Sequence, residues 1–219
     1  MAKETRNLQS FSEVALRGHG ELVIEQMAEG AEEVHIEADA SLMTRIGTEV
    51  IGRRLVLGIR LSWYEWFTWW ITWIFLADKN IRYVLKVRDL EEMALQGSGR
   101  ISCAALRGRQ CRMRISGSGM IKVSGMAGEI VETHISGSGS ITCSGTSETF
   151  EARISGSGKV DADGLECRRA TVRINGSGEI SLKATESLDV RISGSGRVSY
   201  SGDPRVDTKI SGSGRVRRK

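Results

Sequence analysis

The sequence predicts an all-β protein: a single-stranded parallel β-helix of about 19 residues per coil, carrying a short Trp-rich α-helical insertion. Three observations predict it. A Gly-Ser-Gly core recurs with first glycines at Gly97, Gly117, Gly137, Gly156, Gly176, Gly194 and Gly212, at spacings of 20, 20, 19, 20, 18 and 18 residues. Self-similarity at such a period marks a solenoid, in which each repeat is one coil stacked on the last. Within a repeat the pattern alternates: Cys111, Met113, Ile115, Gly117, Gly119, Ile121 and Val123 share one parity, and Arg112, Arg114, Ser116, Ser118, Met120, Lys122 and Ser124 the other. Period two is a strand with one buried face. Finally, no helical periodicity runs between residues 95 and 219.

Taken in order, residues 1–61 read as N-terminal coils in a less regular form. Val14, Leu16, Gly18, Gly20, Leu22 and Ile24 repeat the strand-glycine-strand grammar, with His19 in the serine place. Val34 to Ala38 and Val50 to Leu61 continue it, and an atypical terminal repeat is expected to cap the stack. Residues 62–80 form the Trp-rich insertion, and residues 81–219 the ISGSG-repeat β-helix. In that last region the paired glycines fall on the inward side between two strand segments, where a bend needs their freedom. A second turn falls near Ser124-Gly125, Ser144-Gly145, Asp163-Gly164 and Ser201-Gly202. The whole chain reads as one elongated domain of about ten coils.

The repeated ISGSG, the run Gly194-Ser195-Gly196-Arg197-Val198-Ser199-Tyr200-Ser201-Gly202-Asp203-Pro204 and a last ISGSG at 210–214 resemble the head GIN domain family. Its members carry an auto-transporter adhesin label, and the Tyr-x-Gly-x-Pro of Tyr200, Gly202 and Pro204 is a specific feature of the family. The resemblance spans roughly residues 8–61 and 81–219 and implies a right-handed helix. It transfers no site residues, because the family has no assigned biochemistry. Residues 62–80 depart from the usual pattern, and so does the lack of an export signal.

Residues 1–10 hold Lys3, Glu4 and Arg6 without an apolar core, so no secretory signal is read there. The four cysteines (Cys103, Cys111, Cys143, Cys167) have no CxxC spacing, and at least three fall on the inward parity. They read as core-filling hydrophobes and lean towards a reducing compartment. Charge is lopsided. Residues 1–50 hold four Lys/Arg against ten Asp/Glu, and the remainder hold 27 against 17, ending in Arg215, Arg217, Arg218 and Lys219. Opposite charges at two open sheet ends favour head-to-tail contact, hence a homo-oligomer or filament.

All five tryptophans lie between Ser62 and Ala77. Trp63, Tyr64, Trp66, Phe67, Trp69, Trp70, Trp73, Ile74 and Phe75 are the expected contacts with a membrane or an oligomer partner. Sixteen residues of helix reach about 24 Å, short of a hydrocarbon core of about 30 Å. Both flanks are basic, so the segment is expected to lie in the interface rather than to cross. Burial against protein is the competing reading.

Stacked coils place equivalent residues in columns. The residue before each Ile gives a basic ladder: Arg114, His134, Arg153, Arg173, Arg191 and Lys209. Two residues upstream stand Arg112, Glu132, Glu151, Thr171, Asp189 and Asp207, a column that neutralises the ladder sideways. With no interleaved aromatics, nucleic acid is not an expected partner. Outward serines form two further columns, one of them Ser116, Ser136, Ser155, Ser193 and Ser211 with Asn175 substituting once. Lys159, Asp161 and Asp163 beside Glu179 and Lys183 read as coil-to-coil ion pairs, and His19, His35 and His134 share no metal or triad spacing. No catalytic residue, metal or cofactor is expected.

The sequence therefore predicts a non-enzymatic structural protein that self-assembles and docks on a membrane surface through its Trp-rich helix, at the cytoplasmic face. The alternative is a cell-surface adhesin that binds glycan or a partner protein through a β-helix face and reaches the surface by an unrecognised export route.

Overall fold

The computed structural model describes residues 2–27, 32–43, 45–59 and 81–219. The Trp-rich segment 62–80, and with it the α-helix expected there, lies outside the described residues. Among the described residues the one α-helix is a single turn, α1 (Ala40–Met43). The other regular elements among the described residues are β-strands.

From residue 92 onward the chain is a parallel β-helix. Strands β8 (Glu92–Gly97), β9 (Arg100–Cys103), β10 (Leu106–Arg107), β11 (Gln110–Gly117), β12 (Met120–Gly137), β13 (Ser140–Gly156), β14 (Lys159–Gly176), β15 (Glu179–Gly194), β16 (Arg197–Ser201), β17 (Arg205–Ser211) and β18 (Arg215–Arg218) pair only in parallel with one another. The register is set by the repeat: Ile115 lies beside Ile135, then Ile154, Ile174, Ile192 and Ile210. Inside, that column down to Ile192 meets a second one of Ile121, Ile141, Val160, Ile180 and Val198, all buried. Each such side chain contributes about 1.5–3 kcal/mol by leaving water. The four cysteines join this core as free thiols.

The Gly-Ser-Gly corner is where coils approach most closely. At Gly137 φ is +124°, and a Cβ there would stand 2.5 Å from the Gly117 carbonyl oxygen. At Gly139 it would stand 2.6 Å from Ile115 Cγ2. The Ser138 N–H between them donates to the Gly117 carbonyl at 3.0 Å. No side chain fits that junction, so the motif repeats because the stacking repeats.

In the N-terminal region the Gly-x-Gly corner occurs once, at Gly18-His19-Gly20. Strands β2 (Glu13–Gly18) and β3 (Glu21–Gln26) lie parallel to β8 and β9, bringing Gly18 beside Gly97 as the sequence predicts. On the far side of this coil lie β6 (Arg54–Ile59) and β7 (Arg82–Val87), parallel to β2 and β3. The outermost strands are antiparallel: β5 (Ile46–Ile51) on β6, β4 (Glu33–Ala38) on β7, and β1 (Ala2–Asn7) on β4. Val34–Ala38 and the start of the Val50–Leu61 stretch are therefore not coils. Ile51 pairs with Arg54 across a two-residue turn in which Gly52 has φ +64°. Glycine at the first position of such a turn reverses the chain, and a reversed chain cannot continue a coil. The expectation of about ten coils is corrected accordingly. Six coil-to-coil steps link Gly97 to Gly212, with the Gly18 coil stacked beyond.

Candidate functional site

The face formed by the strand segments before each corner carries the two charged columns. Register places Arg114 beside His134, His134 beside Arg153, Arg153 beside Arg173, Arg173 beside Arg191 and Arg191 beside Lys209. The same ladders align Arg112, Glu132, Glu151, Thr171, Asp189 and Asp207. Parallel strands stand about 4.8 Å apart, so each column is a row of closely spaced side chains along the coil axis.

Pairing between the columns is uneven. Arg153 bonds Glu151 at 3.1 Å and Arg191 bonds Asp189 at 3.3 Å, each within its own strand. Arg114 reaches Glu92 on the neighbouring coil at 3.2 Å. Arg173 has Thr171 in the lateral position and makes no ion pair among the described residues; Lys209 makes none either, although Asp207 stands beside it. His134 sits between Arg114 and Arg153. Burial, with those two cations, holds its pKa below the ordinary histidine value, so it stays neutral at neutral pH.

Beside the ladder runs a groove of about 390 Å³. One wall is His134, Arg153, Arg173 and Arg191; the other is Ser155, Asn175 and Ser193. The buried Ile154, Ile174 and Ile192 lie beneath it.

Sequence reasoning missed the strongest charge cluster. Glu92 is 3% exposed and accepts from three arginines: Arg112 at 3.0 Å, Arg54 at 3.2 Å and Arg114 at 3.2 Å. Arg54 also bonds Glu13 at 2.7 Å. This network ties β6, β2, β8 and β11 together across the junction between cap and regular coils. Its only signal was register, which the interruption between residues 26 and 92 concealed.

The remaining expected features are dispersed. Asp161 accepts from Ser181 Oγ and from the Asp163 N–H, both at 3.3 Å, while Lys183 pairs with Glu166 at 2.7 Å and Asp163 with Lys219. A register shift between Ala162 and Glu166 is what moves Lys183 onto Glu166. His35 lies against Thr5 and Glu33 at the N-terminal cap, far in the stack from His134. Among the described residues no group of His, Cys, Asp and Glu could hold a metal ion, and no helix is long and apolar enough to cross a membrane. The expected contacts Trp63, Tyr64, Trp66, Phe67, Trp69, Trp70, Trp73, Ile74 and Phe75 lie outside the described residues.

A stack of near-identical coils, with its polar side chains spread along columns, defines a parallel β-helical solenoid. Residues 10–204 match the family described as "Putative auto-transporter adhesin, head GIN domain", and the chain belongs to that family. Among solved structures, a "putative adhesin" from Bacteroides fragilis superposes with a TM-score of 0.87 at 18% identity, over 100% of this chain and 96% of its own. A "putative lipid binding protein" from Parabacteroides distasonis gives 0.77 at 23%, over 99% and 96%. A "putative adhesin" from Parabacteroides merdae gives 0.75 at 19%, over 100% and 95%. No protein of curated function matches the chain.

The family corrects one expectation. An auto-transporter adhesin is a cell-surface protein, which overturns the cytoplasmic membrane face read from the sequence. That reading leaned on residues 1–10, where no secretory signal is read, and on the four unpaired cysteines. All four are core residues whose thiols burial pushes up to about 11 (Cys103, Cys111) or about 12 (Cys143, Cys167), so they serve as hydrophobes and say nothing of redox compartment.

Proposed function

We propose that the protein is a non-enzymatic, adhesin-type binding module that engages its partner through the ladder face. One observation carries this reading: the basic column from Arg114 to Lys209 is only partly neutralised by the acidic column beside it. Complementary charge steers encounter and selects partners. The family description supports the same direction. The test is a printed array of acidic glycans, neutral glycans and matrix proteins. It is probed with the wild type, with Arg153→Glu/Arg191→Glu, and with Arg197→Glu/Arg215→Glu, a pair on the strand segments after the corner. Loss of signal in the first variant and retention in the second is expected; equal behaviour of the two would sink the assignment to this face.

A second reading, membrane contact, is favoured by topology. Strand β6 ends at Ile59 and β7 begins at Arg82, beside a coil whose corner is Gly18-His19-Gly20, and the Glu21 N–H donates to the Ile81 carbonyl at 2.8 Å. The chain thus leaves and re-enters at one corner, which suits a segment that dips into an interface and returns. Flotation on anionic liposomes that is lost in Trp66→Ser/Trp70→Ser/Trp73→Ser is the expected result, and an unchanged variant would end this reading. Self-association is proposed through the free outer edges of β17 and β18, which among the described residues pair on one side only. Sedimentation velocity across protein concentration tests it, a single monomer boundary being the contrary outcome.

A further inference from the structure

We propose that Arg173 is an oxyanion subsite and that the ligand it serves is a linear acidic polysaccharide lying along the coil axis. The inference rests on the adhesin reading of the same face and names the chemistry that reading leaves open.

The argument begins with a gap. Four of the six members of the neutralising column are acidic; Arg112, a cation, shares Glu92 with Arg114, and Thr171 alone is uncharged. The coils on either side complete their lateral pairs, Arg153 with Glu151 and Arg191 with Asp189. Arg173 therefore points its guanidinium from an exposed position with no carboxylate among the described residues to accept from it. A guanidinium presents five N–H donors in a fork that matches a carboxylate or sulfate two at a time.

The surroundings then select the ligand. The groove runs along four successive coils, from His134 to Arg191, which suits an extended chain rather than a small molecule. Its facing wall of Ser155, Asn175 and Ser193 offers hydroxyl and amide groups suited to sugar hydroxyls. No aromatic side chain lines it, so it offers no stacking platform of the kind single-stranded nucleic acids use. Arg153 and Arg191 flank the subsite at about 4.8 Å spacing and keep spare N–H donors. At the end of the groove His134 is held below the ordinary histidine pKa, first by burial and then by the neighbouring cations Arg114 and Arg153.

Biolayer interferometry on three immobilised polymers tests the proposal: polygalacturonate for carboxylate, dextran sulfate for sulfate, and unmodified dextran, with single-stranded DNA as a further surface. Thr171→Glu supplies the missing acid in a position that Glu151 occupies one coil away, so the fold tolerates it; Arg173→Ala removes the cation. Binding of one or both acidic polymers but not dextran, weakening with salt, and about tenfold weaker in each variant, is expected. If Thr171→Glu and Arg173→Ala bind like the wild type while Arg153→Glu/Arg191→Glu does not, the subsite falls and the face reading stands. Failure of the wild type to bind either acidic polymer, or equal binding to DNA, overturns the polysaccharide assignment, and the array then decides the face by itself.

Discussion

The regular coils and the N-terminal cap are built from the same strand grammar but solve different problems. Through the middle of the stack, as at β13 and β14, each strand has a near-copy on each side, so one residue choice, such as Ile or Gly in a given column, is reused at each layer. The cap has no copy to lean on. It uses antiparallel β1, β4 and β5 to finish the stack and a charge network of Glu92, Arg54, Arg112, Arg114 and Glu13 to fasten it. The lesson is that the same motif has different worth in the two regions, because worth depends on what the neighbouring layer presents.

Glycine substitution breaks this comparison most sharply. Gly137→Ala would force a Cβ into the Gly117 carbonyl at a positive φ, and combined strain and overpacking cost about 4 kcal/mol. Gly18→Ala, in the same column of the cap coil, has no described atom within 4 Å of its Cβ and pays the dihedral alone, about 1–2 kcal/mol. Urea unfolding of the two variants checks the difference; equal losses would mean that the stacking contact is unimportant. The isoleucine column gives the next effect. Ile154→Ala, at a 2% exposed position, is expected to cost about 3 kcal/mol, whereas Ile210→Ala, 43% exposed on β17, costs under about 1 kcal/mol.

At the junction, Glu92→Gln leaves three arginines without their shared carboxylate. The expected loss is about 3 kcal/mol. Hydrogen exchange should show amides of β6 and β2 opening ahead of those of β13, and uniform opening would refute the fastening role. The smallest effect is alkaline. The Cys143 thiol has a folded pKa of about 12 against 9.0 for the ordinary value, a raised value. Its contribution is complete below pH 9 and is lost as pH rises towards 12, by about 1.4 kcal/mol for each unit in that window. Cys143→Ala should flatten the fall in urea midpoint between pH 8 and pH 10; an unchanged slope contradicts this.

Legibility in the sequence follows the same division. Columns such as Ile115 to Ile192 and Arg114 to Lys209 could be read directly, since a constant period makes sequence neighbours one coil apart into spatial neighbours. The Gly18 coil was legible for the same reason. Strands β4 and β5 were not, because period-two alternation is identical in parallel and antiparallel strands; Gly52, at its turn, distinguishes β5 alone. The Glu92 network was illegible because its partners, Arg54 and Arg112, lie on opposite sides of an interrupted register. At the candidate site the gap was visible as Thr171 in an otherwise charged column. Which arginines remain unpaired required side-chain geometry.

The central claim is that the unpaired position in the column, rather than any one coil, makes the binding site. Moving the gap tests it. In Glu151→Thr/Thr171→Glu the acid missing beside Arg173 is restored and the one beside Arg153 is removed, which shifts the free guanidinium by one coil without changing net charge. Affinity for the acidic polymers, measured by interferometry beside Thr171→Glu alone, is predicted to return towards the wild-type value. A double variant that binds no better than Thr171→Glu would contradict the account.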